Sequence, residues 1–460
     1  MKIEFMRPFI KHIPEVELPK RHIAFKEKLL WTGAALLLFF IMGVVYPWQV
    51  DETDLAQHIQ GFEVMKMIFA SSMGSIISLG IGPIVTASIV LQLLVGAKMI
   101  DIDLSKNEDK ALFQGTQKIL TIIIAIFEAA ALVITTQIVS GGGLIAFTVF
   151  QIALGSILLM YMDEIVSKWG IGSGIGLFIA GGVSQTIING TISFIPKDVG
   201  GFYGAIPTFI GGIMNGALNL NIIFPVIATL VVFLIVVFFE AMRLEIPLSY
   251  GGIRGVGGRY PLKFFYVSNI PVILAAALLM NAQMLPNMVG IAPGNTGELS
   301  TLQYVVDRFT YYVTLGELNG IIGPGSWQRL LDTSVLIHLL VYMLVFVGLC
   351  ILFGKFWVET TGMGSERVAD QIERGGMQIP GFRRDKRIVK KVLDRYIPQI
   401  TIISSVAVGL LAVGADIIGA LGGGTGILLT VGILYRTYEQ IQKEQMADMH
   451  PAFRRFMGKG

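Results

Sequence analysis

Few side chains in this 460-residue sequence are of the types that catalyse reactions or bind metals. Its five histidines are dispersed, and only His338 lies within an apolar run. A lone histidine there acts either as a proton relay or, more commonly, as a polar contact inside a helix bundle. The single cysteine, Cys350, also lies in an apolar run, which argues against a disulfide framework and a reactive thiol. Motifs for phosphate, dinucleotide and zinc binding are absent. The sequence therefore predicts no enzyme, no cofactor and no metal site.

Three glycine-rich segments interrupt apolar runs, at residues 80–83, 170–176 and 422–426. Close helix packing explains most glycines in membrane proteins, but non-helical backbone at membrane depth must be buried in protein or line water. Few acids lie well inside the apolar runs, with Glu128 in the middle of one run and Asp416 near the end of another. A polar solute therefore finds few groups to bind. The side chains beside the first two breaks are aliphatic, and such side chains can form a constriction that excludes water.

The composition places these segments in a polytopic membrane protein. Apolar residues make up 53% of the chain and charged residues 15%, against roughly 25% charged residues in ordinary globular proteins. A helix needs about 20 mostly apolar residues to cross a bilayer, and ten segments qualify. They are 29–46, 76–96, 115–138, 144–166, 174–193, 221–241, 262–285, 332–357, 397–418 and 424–441. We therefore predict an all-α protein with ten membrane spans.

Lysines and arginines orient the chain, because basic residues concentrate in cytoplasmic loops. Of the 35 basic residues, 31 fall on the side that carries both termini. This predicts a multi-pass protein of the plasma membrane with cytoplasmic termini. Five spans on each side of a linker give two halves of opposite orientation, as in an inverted repeat. The predicted divisions are an amphipathic N-terminal segment 1–28, halves 29–193 and 221–441, the linker 194–220 and a tail 442–460.

Two cytoplasmic loops, 240–263 and 355–396, hold fourteen of the basic residues. Charge that orients the spans explains several of these residues, but it does not require two long arms. A phosphate-rich or acidic partner fits them better, and RNA, anionic lipid and an acidic protein all remain open on this ground.

Longer motifs in these segments resemble a known family. They are LGIGPIVTASIVLQLL (79–94), ALFQGTQK (111–118), DEIVSKWGIGSGIGLFIAGGVSQT (163–186), RYPLKFFYVSNIPVILAAAL (259–278) and IGALGGGTGILLT (418–430). Through them the sequence resembles the SecY family of protein-conducting channels over essentially its whole length, in the archaeal and eukaryotic form more than the bacterial one. The resemblance implies two five-helix halves that close around a central hourglass pore.

The resemblance also implies the seal of that pore. A ring of aliphatic side chains would close its waist, and by motif position the ring is Ile81, Val85, Ile171, Ile175, Ile273 and Leu429. A short segment, 62–73, would form a plug in the outer funnel, with Phe62, Val64, Met65, Ile68 and Phe69 as its apolar residues. An interfacial helix is the alternative for this segment.

The family opens sideways at a seam between the second and third spans on one side and the seventh and eighth on the other. The polar positions that match this lateral gate are Thr86, Glu128 and Asn281. The two basic arms match the ribosome-docking loops, with Arg243, Arg254, Arg383, Arg384 and Lys386 as candidate contacts.

The resemblance thus implies a passive channel that conducts secretory polypeptides across the membrane and releases transmembrane segments sideways into lipid. The implied partners are a SecE-like gamma subunit, a small beta subunit, the ribosome, signal sequences and nascent polypeptides, and membrane lipids. A secondary transporter with inverted repeats is the main alternative, and a structural membrane scaffold is a third possibility. A transporter predicts a charged or aromatic site at the membrane midplane, and the aliphatic ring and basic arms speak against it.

Overall fold

Helices dominate the computed structural model of the chain. The structure describes residues 7–10, 12–21, 23–48, 70–72, 74–96, 99–100, 107–136, 139, 142–196, 201–216, 219–250, 257–267, 270–283, 285–289, 300–323, 326–374, 377–378 and 386–449. Its helices are α1 Arg7–Ile10, α2 Phe25–Met42, α3 Gly82–Gly96, α4 Asn107–Thr136, α5 Gly142–Trp169, α6 Gly174–Ile192, α7 Ala205–Met214, α8 Phe224–Ala241, α9 Ile270–Gln283, α10 Leu285–Met288, α11 Thr301–Val313, α12 Thr333–Thr360, α13 Ser365–Arg374, α14 Lys386–Ile418 and α15 Gly424–Met449.

A helix lies in each of the ten predicted segments, namely α2–α6, α8, α9, α12, α14 and α15. Within the described ranges, six helices are long and apolar enough to cross a membrane, and α3 and α9 are shorter apolar helices. The architecture is therefore that of a helical multi-pass membrane protein, while the number of ten spans stays a prediction. Helices α4, α14 and α15 extend beyond their predicted segments, because hydropathy marks the membrane boundary rather than the end of the helix.

The seventh predicted segment, 262–285, was wrong in its first third. Residues up to Lys263 belong to a strand, and α9 begins only at Ile270. Pro271 fits the first turn of a helix, where its missing N–H needs no partner. The intervening aromatic residues do not extend the helix; instead Phe264 and Phe265 stack on Phe239 of α8, with ring centroids 5.5 and 6.1 Å away. With 14 residues, α9 is about 21 Å long.

A small sheet departs from the all-α prediction. Strands β1 (Arg243–Tyr250) and β2 (Gly257–Lys263) form an antiparallel hairpin, and β3 (Met377–Gln378) pairs with the far end of β1. The sheet therefore joins the two loops that the sequence analysis treated as separate arms. The available signal was the alternation of apolar and polar residues in RLEIPLSY (243–250), which is typical of a strand.

Helices α6 and α15 pack against each other in opposite directions. Gly176, near the start of α6, faces Ile433, the tenth residue of α15. Gly190, near the end of α6, faces Leu421, three residues before the start of α15. These helices are the fifth and tenth predicted spans, so their antiparallel packing agrees with two halves of opposite orientation.

His338 is buried in α12 and makes a polar contact. Its Nε2 donates to the carbonyl oxygen of Thr314 at 2.9 Å. Its ring lies 4.3 Å from the ring of Tyr311, centroid to centroid. The contact attaches α12 to the segment after α11, as the polar-contact interpretation expects.

Candidate functional site

A cavity of about 360 Å³ opens between α3, α6, α9 and α15. Three of the predicted ring residues line it: Val85 from α3, Ile175 from α6 and Ile273 from α9. Polar side chains line other parts of the same cavity, among them Gln92 and Arg436. Val85 and Gln92 are seven residues apart on α3, which corresponds to about 10 Å along the helix. We call this cavity the funnel; part of its wall is aliphatic and part is polar.

Five of the six predicted ring residues belong to, or pack against, the large apolar core that extends through both halves of the chain. Ile81 and Leu429 are fully buried and Val85 is nearly so, and the half-buried Ile175 and Ile273 pack against the same cluster. These residues come from four different helices or helix starts, two in each half, so the apolar core to which they contribute connects the two halves. Branched aliphatic side chains offer water no hydrogen bonds, and a constriction made of them excludes a continuous water column.

Ile171, the sixth predicted ring residue, is placed differently. It is buried, but it lies in the break before α6 and outside the cluster that holds the other five. Its N–H donates to the hydroxyl of Thr32 at 2.9 Å, which attaches the break to α2. Ile171 is therefore outside the apolar core that contains or contacts the other five predicted positions.

The three predicted gate residues form one hydrogen-bonded chain. The Thr86 hydroxyl of α3 donates to Glu128 Oε1 of α4 at 2.9 Å. Asn281 Nδ2 of α9 donates to Thr86 Oγ1 at 3.1 Å. The first bond lies within the N-terminal half, whereas the second connects the two halves across the seam. Of these two bonds, only the one from Asn281 crosses between the halves.

The predicted docking and plug residues are described only in part. Arg243 begins β1, and its guanidinium pairs with Glu439 of α15 at 3.0 Å. Lys386 is the first residue of α14. The remaining predicted residues lie outside the described ranges: Arg254, Arg383, Arg384, Phe62, Val64, Met65, Ile68 and Phe69.

Glu439 is a contact residue that the sequence analysis missed. Besides Arg243, it pairs with Lys263 of β2 at 2.8 Å, so one carboxylate holds both ends of the hairpin against α15. Lys263 is 176 residues away along the chain, and no local pattern indicates such a pair. Within the described residues, no group of three or more His, Cys, Asp or Glu side chains could hold a metal ion.

A model of the SecY family matches residues 75–438 of the chain. The chain belongs to the SecY family. Three SecY protein translocase subunits show how far the similarity to SecY relatives extends. The subunit of Methanocaldococcus jannaschii is 48% identical over 98% of this chain and 99% of its own length. Those of Methanothermobacter thermautotrophicus and Pyrococcus horikoshii are 44% and 42% identical, with 99% and 97% of each chain covered.

Solved SecY-family structures have the same fold. A structure of a protein-conducting channel superposes with a TM-score of 0.83 at 45% identity, covering 97% of this chain and 99% of its own. Sec61 in a canine ribosome–channel complex superposes with a TM-score of 0.80 at the same identity and coverage. As a SecY-family member with this fold, the chain functions as a protein-conducting channel subunit of the translocase, and the secondary-transporter alternative is not favoured.

Proposed function

We propose that this chain is the central subunit of a multi-subunit channel, in which Ile81, Val85, Ile175, Ile273 and Leu429 seal the resting pore. The single observation that supports this most is that Val85, Ile175 and Ile273, which come from both halves, line one cavity. Ile81 and Leu429 are fully buried in the apolar core that contains or contacts these three residues. An aliphatic ring makes no specific bond to a passing chain, so it accepts many sequences. Ile171 stays a prediction as the sixth ring residue.

The proposed resting seal has a second part, the plug at 62–73. Phe62, Val64, Met65, Ile68 and Phe69 would supply its apolar contacts. A similar solved structure concerns the plug domain of a SecY protein, which stabilises the closed state there. In this chain the segment ends seven residues before the start of the break that carries Ile81, so a plug would lie near the ring in the sequence.

The proposed partners follow from the family. A SecE-like gamma subunit would clamp the two halves, a small beta subunit would complete the complex, and a translating ribosome would supply the driving force. A similar solved structure is that of a channel in complex with a ribosome, which supports the ribosome as a partner of this chain. The basic-residue asymmetry supports a plasma-membrane orientation with both termini in the cytoplasm.

The lateral gate is proposed to open by breaking the bond between Asn281 and Thr86. Hydrogen bonds between helices in membranes contribute roughly 1 kcal/mol, enough to hold a seam that a signal helix can still displace. On opening, Asn281 also loses its partner and faces lipid, which costs further free energy. A hydrophobic signal helix that replaces the seam contacts would offset this cost.

Replacing Asn281 by leucine is expected to lower the signal hydrophobicity that translocation requires. Leucine removes the bond across the seam and is stable in lipid, so opening becomes easier by about 1 kcal/mol, or about fivefold. Glu128→Leu is expected to have a smaller effect, because its bond to Thr86 lies within one half. The measurement is protease protection of reporters with graded signals, in proteoliposomes that contain the complete complex. This experiment also tests the proposed function, which requires signal-dependent protection.

Thr121→Val is the matched control for the gate variants. Thr121 is a buried polar residue of α4, but its hydroxyl bonds to the Gln117 carbonyl oxygen of its own helix. Thr121→Val should leave unchanged the threshold of signal hydrophobicity that translocation requires. Identical thresholds for Asn281→Leu and the intact chain would contradict the gate, and absence of any protected reporter would contradict the proposed function.

The two basic loops are proposed to dock the ribosome as one unit, because β3 pairs with β1 and so links them. Arg243 helps to hold this unit against α15 through Glu439. Arg254, Arg383, Arg384 and Lys386 are the remaining candidate contacts. Phosphate groups of ribosomal RNA are the expected counterpart of such a basic surface.

Arg383→Glu is expected to weaken ribosome binding and to reduce the slope of log affinity against log salt by about 1, as for the loss of one phosphate contact. Sedimentation of ribosomes with the reconstituted complex at several salt concentrations measures both quantities. Arg395→Glu in α14 makes the same charge change twelve residues away and serves as control. Equal losses for the two variants would show a general charge effect and would contradict a docking role for Arg383.

A further inference from the structure

The fifth and tenth predicted spans begin in the same unusual way. Asp163 Oδ1, from α5, accepts the N–H of Ile175 at 2.8 Å and the hydroxyl of Ser173 at 3.3 Å at the start of α6. Asp416 Oδ1, from α14, accepts the N–H of Gly424 at 2.5 Å at the start of α15. In both halves, a carboxylate of the preceding helix binds the first turn of the next one.

These carboxylates replace the usual local cap. The first four N–H groups of a helix have no partner within it, and a serine at the N-cap position commonly accepts from one of them. Ser173 occupies the N-cap position of α6 but makes no such bond; its hydroxyl donates to Asp163 instead. A carboxylate is also favoured there by the helix dipole. The start of α6 is therefore attached to α5 rather than closed on itself.

Both helices start at a glycine that allows this close approach. A Cβ atom on Gly174 would lie 2.5 Å from Asp163 Cα, and one on Gly424 would lie 2.6 Å from Ala415 Cβ. Each helix start is therefore in direct contact with the end of the helix before it. The two glycine-rich breaks, noted in the sequence as possible packing sites, thus share one geometry in the two halves.

The two caps lie close to the ring. The donor to Asp163 is the backbone of Ile175, itself a ring residue. Leu429 is five residues beyond Gly424, about 7.5 Å along α15. Because α6 and α15 are antiparallel, the two caps lie at opposite ends of this helix pair. Each cap therefore fixes the axial position of one helix from its own end.

We infer that Asp163 and Asp416 are an equivalent pair of positioning residues, which hold Ile175 and Leu429 in the closed ring by fixing where α6 and α15 begin. The inference rests on the proposed function, because it assumes that the ring seals the pore. Neither aspartate touches the translocating chain in this account. Loss of either acceptor lets its helix shift, and the ring then fits less tightly.

The test compares alanine and asparagine variants at both positions in the complete complex, reconstituted into planar bilayers. Asparagine keeps the Oδ1 acceptor, whereas alanine removes it. Asp332→Ala is the matched control, since Asp332 is the N-cap residue of α12 and its side chain makes no capping bond. A ring variant serves as the reference for the ion conductance of an unsealed pore. In it, asparagine replaces Val85, Ile175 and Ile273. Thermal stability of each complex is measured in parallel.

Asp163→Ala and Asp416→Ala are expected to raise the resting ion conductance about tenfold, the equivalent of about 1.4 kcal/mol. The asparagine variants and Asp332→Ala should stay near the intact chain. If an alanine variant does not assemble, Asp163→Glu serves instead: its additional methylene displaces the acceptor from the first turn of α6 and should also raise the leak.

Four results would overturn the inference. Alanine variants that lose stability without leaking would show a purely structural role. Asparagine variants as leaky as the alanine variants would show that the acceptor is not what matters. If the ring variant conducts ions at rest and the aspartate-to-alanine variants do not, the inference is contradicted and the proposed function stands. If the ring variant does not conduct ions at rest, both the inference and the proposed function are contradicted.

Discussion

A channel in which Val85, Ile175 and Ile273 are all replaced by asparagine is expected to conduct ions at rest. These three residues line the funnel, and each of them belongs to or packs against the large apolar core. Keeping one such aliphatic side chain away from water is favourable by about 1.5–3 kcal/mol. Replacing one of them by asparagine removes this barrier to water in the ring, which alone corresponds to about a tenfold rise in conductance. The measurement is single-channel conductance of the reconstituted complex without substrate.

Two further variants make this result decisive. The aliphatic triple variant Val85→Ile, Ile175→Val and Ile273→Val keeps the ring apolar and should stay closed. Deleting residues 62–70 removes the proposed plug and should add to the leak of the asparagine variant. Unchanged conductance of the asparagine variant, with and without this deletion, would contradict the ring.

Gly155→Ala is expected to destabilise the protein strongly. Gly155 lies in α5 against the backbone of residue 76, and an added Cβ would overlap the carbonyl oxygen of Ile76. The Ile76 N–H is itself bonded to the Val45 carbonyl oxygen at 2.9 Å, so this segment cannot easily move away. Overpacking of this kind costs about 1–3 kcal/mol. Thermal unfolding of the purified complex measures the loss.

Gly143→Ala is a control on the same helix. No atom lies within 4 Å of a Cβ placed on Gly143, so alanine fits there without displacement. It should leave the unfolding temperature unchanged or raise it slightly, because alanine favours helix formation over glycine. Similar unfolding temperatures for the two variants would contradict the close contact of α5 with residue 76.

Hydropathy predicted where the helices lie, because a helix in lipid must present apolar side chains over most of its length. It did not predict where they end. Helix α14 begins at Lys386, eleven residues before the predicted start at 397, since a charged cytoplasmic extension remains helical without being apolar. The opposite error occurred at α9, where aromatic residues of apolar character pack after a strand instead of extending the helix.

The candidate site depended on contacts between distant parts of the chain. Asn281 and Thr86 are 195 residues apart, and neither has a local pattern that points to the other. Motif resemblance to the SecY family indicated the pair, and the structure supplies the bond between them. The aspartate caps were not predicted, although Asp416 was noted as an acid within an apolar run. A carboxylate that follows an apolar run and precedes a glycine-rich break was the available signal.

The most direct test of the account places photo-crosslinking probes at Ile81, Ile175 and Ile273 and arrests a secretory chain part-way through the reconstituted channel. Leu230 of α8, which is 60% exposed on the outer surface of the helix bundle, carries the control probe. We predict crosslinks from the arrested chain to all three ring positions and none to Leu230. Absence of crosslinks at all three ring positions, while the chain is shown to be arrested across the membrane, would contradict the claim that polypeptides pass through this ring.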